Sequence, residues 1–457
     1  MLEFVQDFLP LLMFLCLAVL LFSGFPVAFV LGGIGLAFGF VGMAFGIFSF
    51  LEFNNIVLRI YGGVADNLLL VAVPMFVFMG IMLERSGVAA NLLDTMELML
   101  ARVRGGLAMA VTVLGTILAA CTGIIGASIA TMGVLALPTM LKRKYQTELA
   151  VGTICASGTL GILIPPSIML VLMGDLLSIS VGELFVGALF PGLILAGLYM
   201  LYIGIITTLR PELAPLVPPR EHQISWGTLM ARVVKSFIPP VVMIVLVLGS
   251  IFLGWATPTE ASGVGAFGAT LLAISNRRFN LQVLKEVLYR SALTISMIFT
   301  IIIGASTFSY VYRSLGGDEI VEAILLGLSL GPWGTLFLLL GVIFLLGFFL
   351  DWIEITFIVL PLFGPIVANL DLGGHLSDPQ QISLWFAMLV AINLQTSFLT
   401  PPFGFALFYL KGVAPPEVTT GHLYRGIIPF VGLQLVGLTL VIIFPKLVTW
   451  LPSVLFQ

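Results

Sequence analysis

Apolar residues run through this chain in blocks free of charge: 8–51, 67–83, 105–141, 149–174, 184–209, 236–259, 261–276, 291–312, 323–350, 379–410 and 426–445. A helix needs about 20 residues to cross a bilayer. The first block is interrupted at Ser23-Gly24-Phe25-Pro26 and holds two such helices, whereas several others hold one. The first block has no basic segment before it and runs on too far for a cleaved leader, so it is expected to be a retained span. The blocks are far longer than the alternating segments of a membrane β-barrel. An all-α polytopic membrane protein is the expected architecture.

The few charges act as rulers. Arg210, Arg220, Arg232 and Lys235 share the one extended polar connector, and Arg277, Arg278, Lys285 and Arg290 share the next polar segment. Two spans separate these segments, so both lie on one side, and short Lys/Arg-rich loops are normally cytoplasmic. The turn Thr257-Pro258-Thr259-Glu260 then lies outside. The block 105–141 carries Arg102 and Arg104 before it and Lys142, Arg143 and Lys144 after it. A single crossing would put one basic cluster outside. A re-entrant hairpin keeps both inside, and Cys121-Thr122-Gly123 is small and flexible enough for its tip.

The block 149–174 fits one crossing, yet its centre reads Gly158-Thr159-Leu160-Gly161-Ile162-Leu163-Ile164-Pro165-Pro166. Two prolines remove two backbone donors and push the preceding residue out of helix, so the helix must unwind near mid-membrane. The second half repeats the device: Pro401-Pro402 follow Pro165-Pro166 by 236 residues, and Gly412 and Pro429 follow Gly174 and Pro191 by 238. Leu360-Pro361 resembles Leu137-Pro138 and suggests a second hairpin over 334–369, with its tip near Gly347 to Glu354. With two spans between the halves, the second repeat is inverted. The expected division is N-terminal scaffold helices over 1–66, a first repeat over 67–209 (hairpin 105–141, broken helix 149–174), a connector with central scaffold helices over 210–290, and a second repeat over 291–457 (hairpin 334–369, broken helix 379–410). Inverted repeats with paired broken helices are the pattern of secondary transporters, whose sites lie where those helices meet.

Composition narrows the choice further. Only 9% of the 457 residues are charged and 60% are hydrophobic, against roughly 25% charged in soluble proteins. That excludes a soluble enzyme, a nucleic-acid binder and a disordered chain. Cys16, Cys121 and Cys155 lie in apolar blocks and are expected to be small buried hydrophobes. No phosphate-binding loop or metal-ligand cluster is present, and no converging polar triad suggests an enzyme. His222, His375 and His422 have no partner spacing.

Unwound backbone offers carbonyl oxygens, and Thr159, Thr396, Ser397 and Thr400 add hydroxyls, with Thr122 and Ser128 from the first hairpin. Neutral oxygens suit a small hard cation, sodium being the economical choice. The bland alternative is that each hydroxyl bonds its own helix. Asp351 and Glu354 are either a cation or proton site at the second hairpin tip or part of a Trp-bearing membrane interface. Arg59 is a candidate partner for an anionic substrate or an ordinary interfacial arginine.

Gly24-Phe25-Pro26-Val27-Ala28-Phe29, Ala72-Val73-Pro74-Met75-Phe76, Gly158 through Ser167, Ala256-Thr257-Pro258-Thr259-Glu260-Ala261 and Leu399-Thr400-Pro401-Pro402-Phe403-Gly404 together resemble the large membrane subunit of a tripartite ATP-independent periplasmic (TRAP) transporter of the C4-dicarboxylate type. The resemblance covers essentially the whole chain. It implies a fold of the ion-transporter superfamily moving as an elevator, in the bacterial inner membrane. It also implies two partners, a small four-helix membrane subunit and a periplasmic substrate-binding protein, and sodium-driven import of an organic anion. One sodium site would use Thr122, Gly123, Gly161, Ile164 and Pro166; the other, Gly347, Thr396, Leu399 and Pro401. Ser128, Thr159, Ser397, Thr400 and Arg59 are the candidates for holding substrate. Proton coupling through Asp351 or Glu354 is the alternative.

Overall fold

In a computed structural model, the described residues are 2–21, 23–123, 125–216, 225–401 and 404–456, and every element among them is helical. Ile124, Arg220, His222, Pro402 and Phe403 lie outside them, as do the side chains of Cys121 and Thr122.

The chain opens with α1 (Leu2–Leu21), α2 (Val27–Ala44) and α3 (Phe50–Ile60), the last continued by a π-helical turn over Tyr61–Ala65. A 3-10 turn, Leu68–Val71, leads into α4 (Ala72–Arg85), and α5 (Val88–Leu100) follows. Next come α6 (Gly106–Thr122), α7 (Ile125–Leu135) and α8 (Leu137–Lys142). The first broken helix is α9 (Thr147–Thr159), a 3-10 turn over Leu160–Ile162, and α10 (Ile168–Leu177). Five long or central helices follow: α11 (Val181–Leu209), α12 (Trp226–Phe252), α13 (Pro258–Ser275), α14 (Leu281–Ser314) and the short α15 (Gly317–Gly327). The second hairpin is α16 (Gly331–Leu346) and α17 (Trp352–Ala368). The second broken helix is α18 (Pro379–Leu399) and α19 (Phe405–Val413), and the chain closes with α20 (Thr420–Ile443) and α21 (Lys446–Leu455).

Eight helical stretches among the described residues are long and apolar enough to span a bilayer, and α6, α9, α10, α16 and α17 are shorter apolar segments. Their sequences explain their ends. Thr257 and Glu260 cap α13 reciprocally: the Thr257 N–H donates to Glu260 Oε2 (2.8 Å) and the Glu260 N–H to Thr257 Oγ1 (3.3 Å). The outward faces are apolar. Val234, Ile238, Val242 and Val245 form an exposed stripe on α12, where a soluble helix would carry charge. A bilayer covers such a face at no hydrophobic cost.

Hydrogen bonds fix which ends lie together. The Leu107 N–H donates to the Tyr145 hydroxyl (3.2 Å), Thr207 Oγ1 donates to the Arg104 carbonyl (3.2 Å), and the Gln146 N–H to the Leu213 carbonyl (2.8 Å). Arg143 pairs with Glu97. Burial pushes the Tyr145 hydroxyl pKa up, with the Leu107 N–H and Arg143 pulling the other way, so it stays a neutral acceptor. The base of the α6–α8 hairpin therefore sits with the C-terminus of α11 and the start of α9. The start of α20 is there too, because Gly426 lies against the Glu148 carbonyl. The far end of α20 carries the Ile442 carbonyl, 2.7 Å from His375 Nε2 in the connector after α17. The two hairpins thus enter from opposite ends of the molecule.

The hairpins are not copies of one another. Pro138 starts the separate helix α8, whereas Pro361 sits inside the continuous α17. The Leu-Pro pairs that match in sequence are therefore used differently in the two halves. His375 packs against Trp333 and Trp385, and His422 completes a cap on α20 with Thr419, so both histidines have structural duties.

Candidate functional site

The break in the first broken helix follows from backbone chemistry. Pro165 and Pro166 have no N–H, so the carbonyls of Gly161 and Ile162 lose the donors that a helix would supply. The Ser167 hydroxyl takes over at the Ile162 carbonyl (2.7 Å). The Gly161 carbonyl is left without that intrahelical partner. Gly161, Ile164 and Pro166 are all buried. The tip of the first hairpin comes to this place. Gly123 takes the left-handed conformation, φ +59°, and a Cβ there would lie 3.2 Å from the Ile168 nitrogen at the start of α10. Its lack of a side chain serves both the turn and the close approach.

The second site is built from tighter contact. A Cβ on Gly347 would lie 2.1 Å from Ser397 Oγ and 2.5 Å from its Cβ. Thr396, Ser397 and Leu399 are fully buried, and Pro401 is half-buried. Each hydroxyl here donates to its own helix: Thr396 to the Ile392 carbonyl (3.0 Å), Ser397 to Leu394 (2.8 Å) and Thr400 to Thr396 (2.7 Å). Donation uses only the proton, and the oxygen lone pairs remain available as ligands.

The structure separates the other expected residues. Ser128 is buried on α7. Thr159 donates to the Ala156 carbonyl (2.9 Å) and accepts from Gln434 Nε2 of α20 (3.3 Å), with the Tyr199 hydroxyl in the same buried group. The segment that carries Asp351 and Glu354 packs into protein rather than facing outward, since Trp352, Ile353 and Glu354 are at most 7% exposed. They cap α17: Asp351 Oδ1 accepts from the Trp352 N–H (2.8 Å) and Glu354 Oε2 from the Asp351 N–H (2.9 Å). Tyr409 of α19 lies within electrostatic reach of both acids. Its ring fills the space beside Gly126 of the first hairpin.

Arg59 lies apart from all of these. It lines a cavity of about 430 Å³ between α3, α10, α14 and α17, and none of Ser128, Thr159, Ser397 or Thr400 lines it. Arg313 of α14 stands on the same wall, a residue that sequence reasoning misses. Its only sequence signal is that it ends the charge-free block 291–312.

Comparison with known proteins agrees with this architecture. Residues 14–447 match the family model described as "Tripartite ATP-independent periplasmic transporter, DctM component". The C4-dicarboxylate TRAP transporter large permease of Pseudomonas aeruginosa is 29% identical over 396 residues, 85% of this chain and 87% of that protein. The ectoine/5-hydroxyectoine large permease of Ruegeria pomeroyi is 28% identical over 451 residues, 97% of this chain and 99% of that one. The sialic acid large permease of Vibrio cholerae is 27% identical over 435 residues, 95% of this chain and 96% of that one. Among solved structures, the YdaH transporter of Alcanivorax borkumensis aligns with a TM-score of 0.59 at 12% identity, covering 86% of this chain and 89% of that one, a likeness of fold alone. A multi-pass membrane chain of inverted hairpins and broken helices, matched from residue 14 to residue 447, belongs to the DctM family of TRAP transporter large permeases.

Proposed function

We propose that this permease is the substrate-translocating subunit of a sodium-coupled importer of a carboxylate-bearing organic anion, seated in a bacterial inner membrane. The hairpins and broken helices form a body that slides as an elevator against the remaining helices. The observation that carries the reading is the docking of each hairpin tip onto a helix break, Gly123 at Ile168 and Gly347 at Ser397. The candidate ligands there are neutral carbonyl and hydroxyl oxygens, a set that suits sodium, with Asp351 and Glu354 capping α17 after the second tip. One site takes Thr122, Gly123, Gly161, Ile164 and Pro166, and the other takes Gly347, Thr396, Leu399 and Pro401. Ser397 and Thr400 offer hydroxyls to the substrate beside the second site. The substrate class is supported by relatives named for C4-dicarboxylates and for sialic acid. Large permeases of this family work with a small membrane subunit and a periplasmic binding protein, and we assign both as partners here.

The test is uptake into liposomes by the complete complex, with sodium and proton gradients imposed separately. Uptake is expected to require the sodium gradient. Uptake that persists without sodium and follows the proton gradient would overturn the sodium assignment and direct attention to Asp351 and Glu354.

A further inference from the structure

The cavity beside Arg59 has a wall whose chemistry differs from that of the hairpin tips. Two arginines face it, Arg59 from α3 and Arg313 from α14, together with the hydroxyl residues Ser306 and Ser309. Arg59 sits with its guanidinium carbon 5.3 Å from the centre of the Tyr310 ring. Tyr310 is itself held by Asn55, whose Nδ2 donates to the phenol oxygen (3.1 Å). Among the described residues no carboxylate lies within ion-pair distance of Arg59. The acid on the wall, Asp175, accepts from Asn67 Nδ2 through Oδ1 (2.7 Å).

Arg313 is held by a carbonyl that the sequence sets free. Pro365 has no N–H for the carbonyl four residues earlier, which belongs to Pro361, and Arg313 Nη2 donates to that oxygen. Its Nε lies 3.3 Å from Asp318 Oδ2, on a carboxylate that is half exposed. The carbonyl fixes the guanidinium in place, and the Asp318 ion pair, which lies outside the cavity lining, offsets part of its charge while Arg59 keeps its own. Pro361 frees the Phe357 carbonyl in the same way, and Phe357, Pro361 and Pro365 all border this cavity. A space of this size matches a small-molecule site, which typically measures roughly 300–1,000 Å³. Guanidinium pairs are the side chains best suited to carboxylates and related oxyanions.

We propose that this cavity is an oxyanion-docking site, separate from the hairpin-tip sites, in which Arg59 and Arg313 take the carboxylate or sulfonate group of the transported molecule. It rests on the reading of the chain as an organic-anion importer. Because it lies between α3 and α14 on one side and α10 and α17 on the other, the ligand there touches both the hairpin arm and the helices packed against it.

The test measures the charge preference of the cavity with a probe that is itself an oxyanion. Cys16, Cys121 and Cys155 are replaced in the full chain, a cysteine is placed by Ser309→Cys, and the chain is purified with its small membrane subunit. Rates of modification by a sulfonate-bearing and by a trimethylammonium-bearing methanethiosulfonate are then compared. The anionic reagent is expected to react at least about tenfold faster, and Arg59→Gln is expected to remove most of that preference. Arg59→Gln gives up only a ring contact, so the fold should survive; Arg313→Gln is the second arm and Ser306→Cys the second reporter. A preference for the cationic reagent, a preference unaltered by Arg59→Gln, or two cysteines that do not react would each overturn the proposal. Sodium-driven uptake by the unaltered complex is scored separately. Absence of uptake under both sodium and proton gradients would sink the importer reading while leaving the charge preference standing.

Discussion

Ser397 occupies the space that a side chain on Gly347 would need: a methyl there would stand 2.1 Å from the hydroxyl oxygen. Gly347→Ala must therefore push the second hairpin off its helix break. Half-saturating sodium in liposome uptake is expected to rise at least about tenfold, about 1.4 kcal/mol. Gly347→Ala combined with Ser397→Gly should recover much of it. An unchanged sodium curve in Gly347→Ala would remove this contact from the ion site.

The acids at the second tip can be sorted by conservative replacement. Asparagine caps a helix as well as aspartate does, and glutamine fits the reciprocal position. Asp351→Asn and Glu354→Gln are expected to leave thermal stability and sodium-driven uptake near the parent values, whereas Asp351→Ala costs about 1 kcal/mol. A variant that keeps its melting temperature but loses coupling would assign the pair to the transported ion.

Gln395 is fully buried, and among the described residues neither Nε2 nor Oε1 has a hydrogen-bond partner. A buried amide of this kind costs about 1–3 kcal/mol. Gln395→Met is thus expected to leave the thermal stability of the purified complex unchanged or raised. A loss of more than about 1 kcal/mol would mean that the amide is held by a bound group.

Arg104, Lys142 and Asp371 are exposed, the first two at the base of the first hairpin and the third after the second. In a chain without its native cysteines, single cysteines at Arg104 and Lys142 should react with an impermeant thiol reagent from the same side of the membrane. A cysteine at Asp371 should react from the other side. Labelling of Arg104 and Lys142 from opposite sides would overturn the re-entrant geometry.

The parts of this molecule that sequence reveals are those where one residue type has one backbone consequence. Pro165-Pro166 and Pro401 mark the breaks, because a proline is the same obstacle in any surroundings. The basic residues around 105–141 mark the hairpin, because charge stays out of lipid. Side-chain direction is not legible in this way. Arg59 looks like any interfacial arginine until α14 brings Tyr310 beneath it, and Arg313 gains its acceptor from a helix about 50 residues away in sequence. The capping duty of Asp351 is missed by a reading that asks only about ion sites and interfaces, although Asp-x-x-Glu before an apolar run is the capping-box spacing. The role of Thr159 toward Gln434 depends on the crossing of α9 with α20, which no local pattern encodes.

That crossing has a consequence of its own. A Cβ on Gly152 would stand 2.1 Å from the Gly426 carbonyl oxygen, and one on Gly426 would stand 2.3 Å from the Glu148 carbonyl oxygen. Both obstacles are main-chain atoms, so no rotamer change can clear them. Neither glycine can be exchanged before the other, and exchanging both only doubles the obstruction. For anyone reshaping this permease, by random library or by design, the α9–α20 crossing is a fixed pivot: variation can be spent on the cavity walls and the lipid-facing stripes, but the route through sequence space is closed here in every single step.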